Sequence, residues 1–249
     1  MSDSPESLAA IGSAGGGNEP IVHRFDDGAA LASEMARRIA DRLATAIAVR
    51  EKATLVLSGG RTPIPFFEQL RQRTLPWARL VITLADERWV SATSADSNER
   101  LVRDHLLQGD AGMARFFGLK NAAPTPHEGL PNCSAMLGQL PRPYDVVVLG
   151  MGDDGHFASL FPDTSGLAAA LDPYSEARCV AVNSPSAQYQ RMSQTLAALV
   201  DARLLVLHIE GERKWRRYRE ALDSGPAREL PARALLGQQR TPVEVYWAP

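Results

Sequence analysis

The chain has 249 residues, of which 45% are apolar and 22% charged, with 19 glycines and 17 prolines. A chain of this length buries a sizeable core within one domain, and so ordinary a composition excludes disordered and fibrous classes. A formal charge of −2 excludes a global attraction to nucleic acid, so an anionic ligand must be held by locally clustered donors, and small molecules are the expected partners.

Met1–Pro20 runs through Ser, Gly, Asp and Glu with no basic stretch and no apolar segment. It reads as a disordered tail rather than a signal peptide or an anchor, which leaves 21–249 as a single domain. Ile21–Phe25 predicts the first strand. Ala29–Val49, with Leu31, Met35, Ile39, Leu43 and Ile47 near i+4 spacing, predicts the first helix. The strand Thr54–Leu57 then leads into Ser58-Gly59-Gly60-Arg61-Thr62-Pro63, with Thr62 and Pro63 expected in the first turn of a helix. Glycines that admit an anion to the backbone, followed by a helix start, suit a phosphate, although a plain tight turn has the same sequence.

The next strand, Leu80–Leu84, is followed by a loop carrying Asp86, Glu87 and Arg88. Two acids and a guanidinium at a strand end position hydroxyls and stabilise developing negative charge; a structural ion pair has the same pattern. Ser97 reads as the N-cap of a helix over Ser97–Leu107. Cys133 and Cys179 stand far apart with no CxxC spacing, which fits a reducing compartment and makes the cytoplasm the expected location.

The strand Asp145–Leu149 opens onto Gly150-Met151-Gly152-Asp153-Asp154-Gly155-His156. Gly150-x-Gly152-x-x-Gly155 matches a dinucleotide fingerprint in form. That fingerprint requires a helix to open at once, whereas Pro162 and Gly166 interrupt the next segment of chain, and acids crowd the place of a pyrophosphate. The loop reads instead as a presenter of His156 and Asp154, histidine being the side chain suited to taking a proton near neutral pH. His23, His105, His127 and His208 have no partner pattern, and neither HExxH nor clustered Cys/His spacing indicates a metal. Strands over Arg178–Val182, Leu204–Ile209 and Val243–Trp247 and helices over Tyr189–Val200 and Glu212–Leu222 complete the α/β alternation, with a mostly parallel sheet expected. Ligands of such sheets bind where strands lead into helices at their carboxyl ends. No stretch approaches the roughly 20 apolar residues of a membrane span.

Ser58-Gly59-Gly60-Arg61-Thr62-Pro63, Asp86-Glu87-Arg88, Ser97-Asn98 and the run from Gly150 through His156 to Ala158-Ser159-Leu160-Phe161-Pro162 resemble the 6-phosphogluconolactonase family in order and spacing. The later Gln190-Arg191-Met192-Ser193-x-Thr195 and Gly211-x-x-Lys214 are also similar to it, so the likeness covers roughly Ile21 to Trp247. It implies a Rossmann-like sheet shared with glucosamine-6-phosphate deaminases and ribose-5-phosphate isomerases, and hydrolysis of a phosphorylated sugar lactone without a cofactor. It also implies a division of roles. The phosphate would lie on Ser58, Gly59, Gly60 and Thr62 with Arg191 and Lys214 supplying charge and Asn98 in the substrate site. His156 would activate water, and Asp86 and Arg88 would hold hydroxyls or stabilise the oxyanion; by analogy with other His–carboxylate pairs, Asp154 would orient the His156 imidazole. Arg61 departs from a position that is often Ser in the family and either adds a phosphate contact or faces solvent. The similar deaminases carry a carboxylate five positions after the motif histidine; Phe161 stands there in this chain and cannot shuttle a proton. A catalytically silent sugar-phosphate sensor is the remaining alternative. The stretch before Ile21 is too short and polar for a helix-turn-helix, and Arg213-Lys214-Trp215-Arg216-Arg217 fits one amphipathic helix.

Overall fold

Each predicted apolar run becomes a strand in the structure, a computed structural model that describes residues 19–249. Positions 1–18 of the expected tail lie outside the described residues. Seven strands form one parallel sheet in the spatial order β1 (Ile21–Arg24), β10 (Val243–Ala248), β9 (Leu205–Glu210), β6 (Val146–Gly150), β2 (Ala53–Leu57), β3 (Leu80–Leu84) and β5 (Arg115–Phe117). β2 and β3 are buried at every position, which is why their sequences are continuous apolar runs rather than alternating ones. Edge strand β5 was not predicted: it has three residues, and its pairing with β3 supplies what its length does not.

The expected parallel sheet does not hold every strand. β7 (Cys179–Val182) belongs to a separate antiparallel sheet with β8 (Arg191–Gln194) and β4 (Asp86–Arg88), in the order β4-β8-β7. Two expectations are corrected there. Asp86–Arg88 is a strand, not a loop. The helix expected over Tyr189–Val200 is a strand followed by α6 (Leu196–Val200), so Arg191 sits on a strand rather than at a helix start. Ser193 and Gln194 are fully buried, and Gln194 N–H donates to Ala85 O at 2.8 Å. Pairing on both sides of β8 overrides the helical spacing of its apolar residues.

The long first helix, α1 (Gly28–Arg50), has the predicted face: Leu31, Met35, Ile39 and Leu43 are at most 1% exposed, and each contributes about 1.5–3 kcal/mol by burial. Asp27 caps it by accepting from Ala30 N–H at 2.8 Å, and Glu51 ends it in the left-handed region. The helix α2 (Ile64–Leu70) starts after Thr62 and Pro63, which therefore precede it rather than lying in its first turn. Ser97 caps α3 (Asn98–His105) as expected, accepting from Arg100 N–H. The helix α4 (Pro126–Gly138) packs on β7 and β8; Thr125 caps it and bonds the Glu128 side chain, a reciprocal arrangement at its N-terminus. The short α5 (Leu167–Ala170), α7 (Glu212–Leu222) and α8 (Ala232–Gly237), with 3₁₀ turns over Trp77–Arg79 and Gly109–Met113, complete the described elements. Among them no helix is long and apolar enough to cross a membrane.

Candidate active site

A cavity of about 270 Å³ opens beyond the carboxyl ends of β2, β6 and β9. Its wall contains Ser58, Gly59, Gly60, Arg61, Thr62, Asp86, Arg88, Asn98, His156, Arg191 and Lys214, so of the residues given a catalytic or substrate-binding role above only Asp154 stands back from it.

The loop after β2 leaves the sheet with Ser58 N–H bonded to Val148 O at 3.0 Å, and Gly60 takes φ +96°, where a side chain is strained. Gly59 is required for another reason. A Cβ there would lie 1.8 Å from Asn98 Oδ1, so the Asn98 amide packs directly on the loop backbone. Ser58 Oγ and Asn98 Oδ1 are both buried without a protein partner, although each side chain lines the cavity. Arg88 Nε and Arg191 Nε share that condition. Of the eight such atoms among the described residues, four belong to side chains that line this cavity, a concentration expected where a ligand supplies missing partners.

Asp86 enters from β4 and is 4% exposed. Ser159 Oγ donates to its Oδ2, Asn98 Nδ2 donates to its backbone O at 2.9 Å and to Oδ1 at 3.4 Å, and Arg191 Nη1 lies 3.6 Å from Oδ2. Burial pulls the Arg191 pKa below the ordinary arginine value, partly offset by the Asp86 charge. Arg88 Nη1 donates to Asp96 O at 2.7 Å. Ser159, which the sequence alone did not mark as a site residue, therefore stands between Asp86 and Arg191, with Arg191 Nη1 3.4 Å from its Oγ.

The glycine-rich segment after β6 is a tight hairpin: Gly152 N–H donates to His156 O at 2.8 Å and Gly155 N–H to Gly152 O at 3.0 Å, with Gly155 at φ +82°. No helix opens here, and α5 begins only at Leu167. Within the hairpin Asp154 Oδ1 accepts from His156 backbone N at 3.1 Å and lies 2.6 Å from His156 Nδ1. Burial pushes the Asp154 carboxyl up, yet the bonds from His156 outweigh it and hold the pKa below the usual value. An ionised Asp154 makes Nδ1 the protonated ring nitrogen and leaves Nε2 as the acceptor, with no group among the described residues bonded to it. The ring packs on Phe161 at 4.3 Å between centroids, and the Arg191 guanidinium lies 5.1 Å from the same phenyl ring.

At the third strand end, Gly211 takes φ +88° and delivers Lys214 to the cavity from the first turn of α7. His208 also lines the cavity; it is 3% exposed and its Nε2 lies 2.9 Å from Glu210 Oε1. Two positions apart on one strand face, His208 and Glu210 carried a readable signal, since alternate strand residues share a side. His23 and His105 pair with Glu244 and Glu68 away from the cavity. Among the described residues no group of three or more His, Cys, Asp or Glu side chains is placed to hold a metal ion. The chemistry available is thus a carboxylate-oriented imidazole facing four cations, Arg61, Arg88, Arg191 and Lys214, within one polar cavity.

Residues 26–247 match the family model described as glucosamine-6-phosphate isomerases/6-phosphogluconolactonase. The chain is 46% identical over 225 residues to a 6-phosphogluconolactonase of Mesorhizobium japonicum, covering 90% of this chain and 94% of that one. It is 44% identical over 228 residues to a 6-phosphogluconolactonase of Pseudomonas putida, covering 92% and 93%. The crystal structure of a 6-phosphogluconolactonase from Shewanella baltica superimposes with a TM-score of 0.90 at 44% identity, over 93% of this chain and 98% of that one.

Proposed function

The chain belongs to the glucosamine-6-phosphate isomerase/6-phosphogluconolactonase family, and on that premise we propose that it hydrolyses 6-phospho-D-glucono-1,5-lactone to 6-phosphogluconate with His156 as general base. The observation that carries this reading is the 2.6 Å contact between His156 Nδ1 and Asp154, which leaves Nε2 free to take a proton at the wall of a cation-rich cavity.

The phosphate docks on the Gly59–Gly60 backbone and Thr62, with Arg191 and Lys214 supplying positive charge and Arg61 adding to it. With that end anchored, the lactone carbonyl lies beside His156. A water gives its proton to Nε2 as its oxygen bonds to the carbonyl carbon, and the negative charge gathers on the former carbonyl oxygen, where Arg88 stabilises it. The intermediate collapses as the bond from carbon to the ring oxygen breaks, and that oxygen takes the proton from His156. The products are a hydroxyl and a carboxylic acid, which releases its own proton to water. Ser58 Oγ and Asn98 Oδ1 hold sugar hydroxyls. Asp86 serves chiefly to fix Arg191 and Asn98, since those groups and Ser159 already occupy its carboxylate. The chemistry balances without redox change and calls on no cofactor.

Phe161 against the His156 ring speaks against the deaminase or isomerase reading, because an apolar group occupies the place where those reactions need a carboxylate. Both cysteines are free and buried, which supports a cytoplasmic setting, and a small sugar phosphate rather than nucleic acid is the expected partner.

The test is turnover of freshly made lactone, coupled to an enzyme that oxidises 6-phosphogluconate, measured as excess over spontaneous hydrolysis. Clear excess supports the proposal; none removes it. Gly152→Ala is a sharper probe of the hairpin. The added methyl would lie 2.2 Å from His156 Nδ1 and 2.8 Å from Asp154 Oδ1. Since a misplacement of about 1 Å costs about 10²-fold, kcat is expected to fall by that order with KM little changed. A variant with wild-type kcat would show that the pair does not set the rate.

A further inference from the structure

We propose that Glu87 is a positioning residue for this reaction: its buried carboxylate clamps the start of α3 so that Asn98 presents its amide oxygen to the substrate. The inference rests on the lactonase reading and extends it to a residue that does not line the cavity.

Glu87 is 0% exposed and sits on β4 between two cavity residues. Its Oε1 accepts from the backbone N–H of Arg88 and of Asn98, each at 2.8 Å. Its Oε2 accepts from Glu99 N–H at 2.8 Å and from Ser97 Oγ at 3.0 Å. Four donors from two elements therefore converge on one carboxylate, and two of them come from the orphan N–H groups at the start of a helix. A buried ion held by four hydrogen bonds has one arrangement that satisfies every partner, so it fixes the distance and angle between β4 and α3. That geometry is what seats the Asn98 amide, with Nδ2 on Asp86 O and Oδ1 over Gly59 where a methyl would not fit. Arg88, one residue along, is tied to the same carboxylate through its N–H. Burial alone raises the Glu87 pKa, and the backbone bonds oppose it, so the fold bears a cost to keep this acid at the site.

An amide cannot replace this group. Glu87→Gln puts an NH₂ against two donors, and the start of α3 must shift to relieve the clash. The test is a double-mutant cycle of Glu87→Gln with Asn98→Ala, read on kcat/KM and, by calorimetry, on the Kd of 6-phosphogluconate. Alone, Glu87→Gln is expected to lower kcat/KM by about 10²-fold; in the Asn98→Ala background it should cost less than about 3-fold more, because the seat is already lost. Ser97→Ala serves as the comparison, since it removes the helix cap and one Glu87 partner while leaving the three N–H bonds. It is expected to lower Tm but to keep kcat/KM within about 3-fold of wild type. Should Glu87→Gln fail to fold, Glu87→Asp, which withdraws the charge by one methylene, enters the same cycle. Multiplying effects, or an equal activity loss in Ser97→Ala at matched Tm, would reduce Glu87 to a stabilising residue and overturn the proposal. If the wild type shows no turnover, the lactonase reading fails while the affinity cycle still decides the clamp: non-additive losses uphold it and additive ones end it.

Discussion

Replacing His156 by Ala is expected to lower kcat for lactone hydrolysis by about 10²- to 10⁴-fold, the range of a general base, with KM close to wild type. The split arises from where the groups stand. His156 comes from the loop after β6 whereas the proposed phosphate contacts come from the loop after β2, from β8 and from α7, so its removal leaves Arg61, Arg191 and Lys214 in place, and ground-state binding is expected to persist while the proton acceptor is lost. The fold should survive. The side chain is 27% exposed, and its loss removes one hydrogen-bonded contact and part of a ring contact with Phe161, about 1 kcal/mol by the usual worth of such groups. Because the lactone also opens spontaneously, kcat must be taken from the excess over the blank at several enzyme concentrations. A loss under about tenfold, in a variant with wild-type Tm, would make His156 part of the scaffold and end the general-base assignment.

How far the sequence reaches is clearest where two residues of the same cavity part company. His156 was readable as a base candidate because its loop presents it together with Asp154, and although a lone histidine is more often structural, the family likeness singled it out. Asp86 was readable only as an acid at a strand end. Its bonds run to Ser159, 73 positions away, and toward Arg191, farther still, and no local pattern announces such pairings. The same limit governed the fold. Long apolar strands and α1 carry their own signal, and each is present within a residue or two at either end. The three-residue strands β4 and β5 exist through pairing rather than propensity, and β8 took helical spacing from residues that are buried on all sides. The helix α4 was a different kind of omission, since Thr125 and Glu128 stood at capping-box spacing and could have been read.

Asp154 allows the charge and the tautomer of the pair to be separated. A single oxygen, Oδ1, accepts both from the His156 backbone N–H and from Nδ1–H. Asparagine can keep both bonds with its carbonyl oxygen, so Asp154→Asn should preserve the ring orientation and the basic Nε2 while deleting the negative charge. Its expected cost is the charge alone. The bonds from His156 hold the Asp154 carboxyl below its usual pKa, so it stands ionised beside the ring and stabilises the imidazolium charge that develops in the transition state. Losing roughly 1.4 kcal/mol of that stabilisation lowers kcat about tenfold. Asp154→Ala removes orientation as well as charge, and kcat is expected to fall about 10²-fold or more, approaching His156→Ala. The order Ala below Asn below wild type is the outcome to look for in steady-state rates. Equal losses in both variants would assign the whole contribution to charge. An Asn variant as active as wild type would leave Asp154 a structural partner of the hairpin backbone and nothing more.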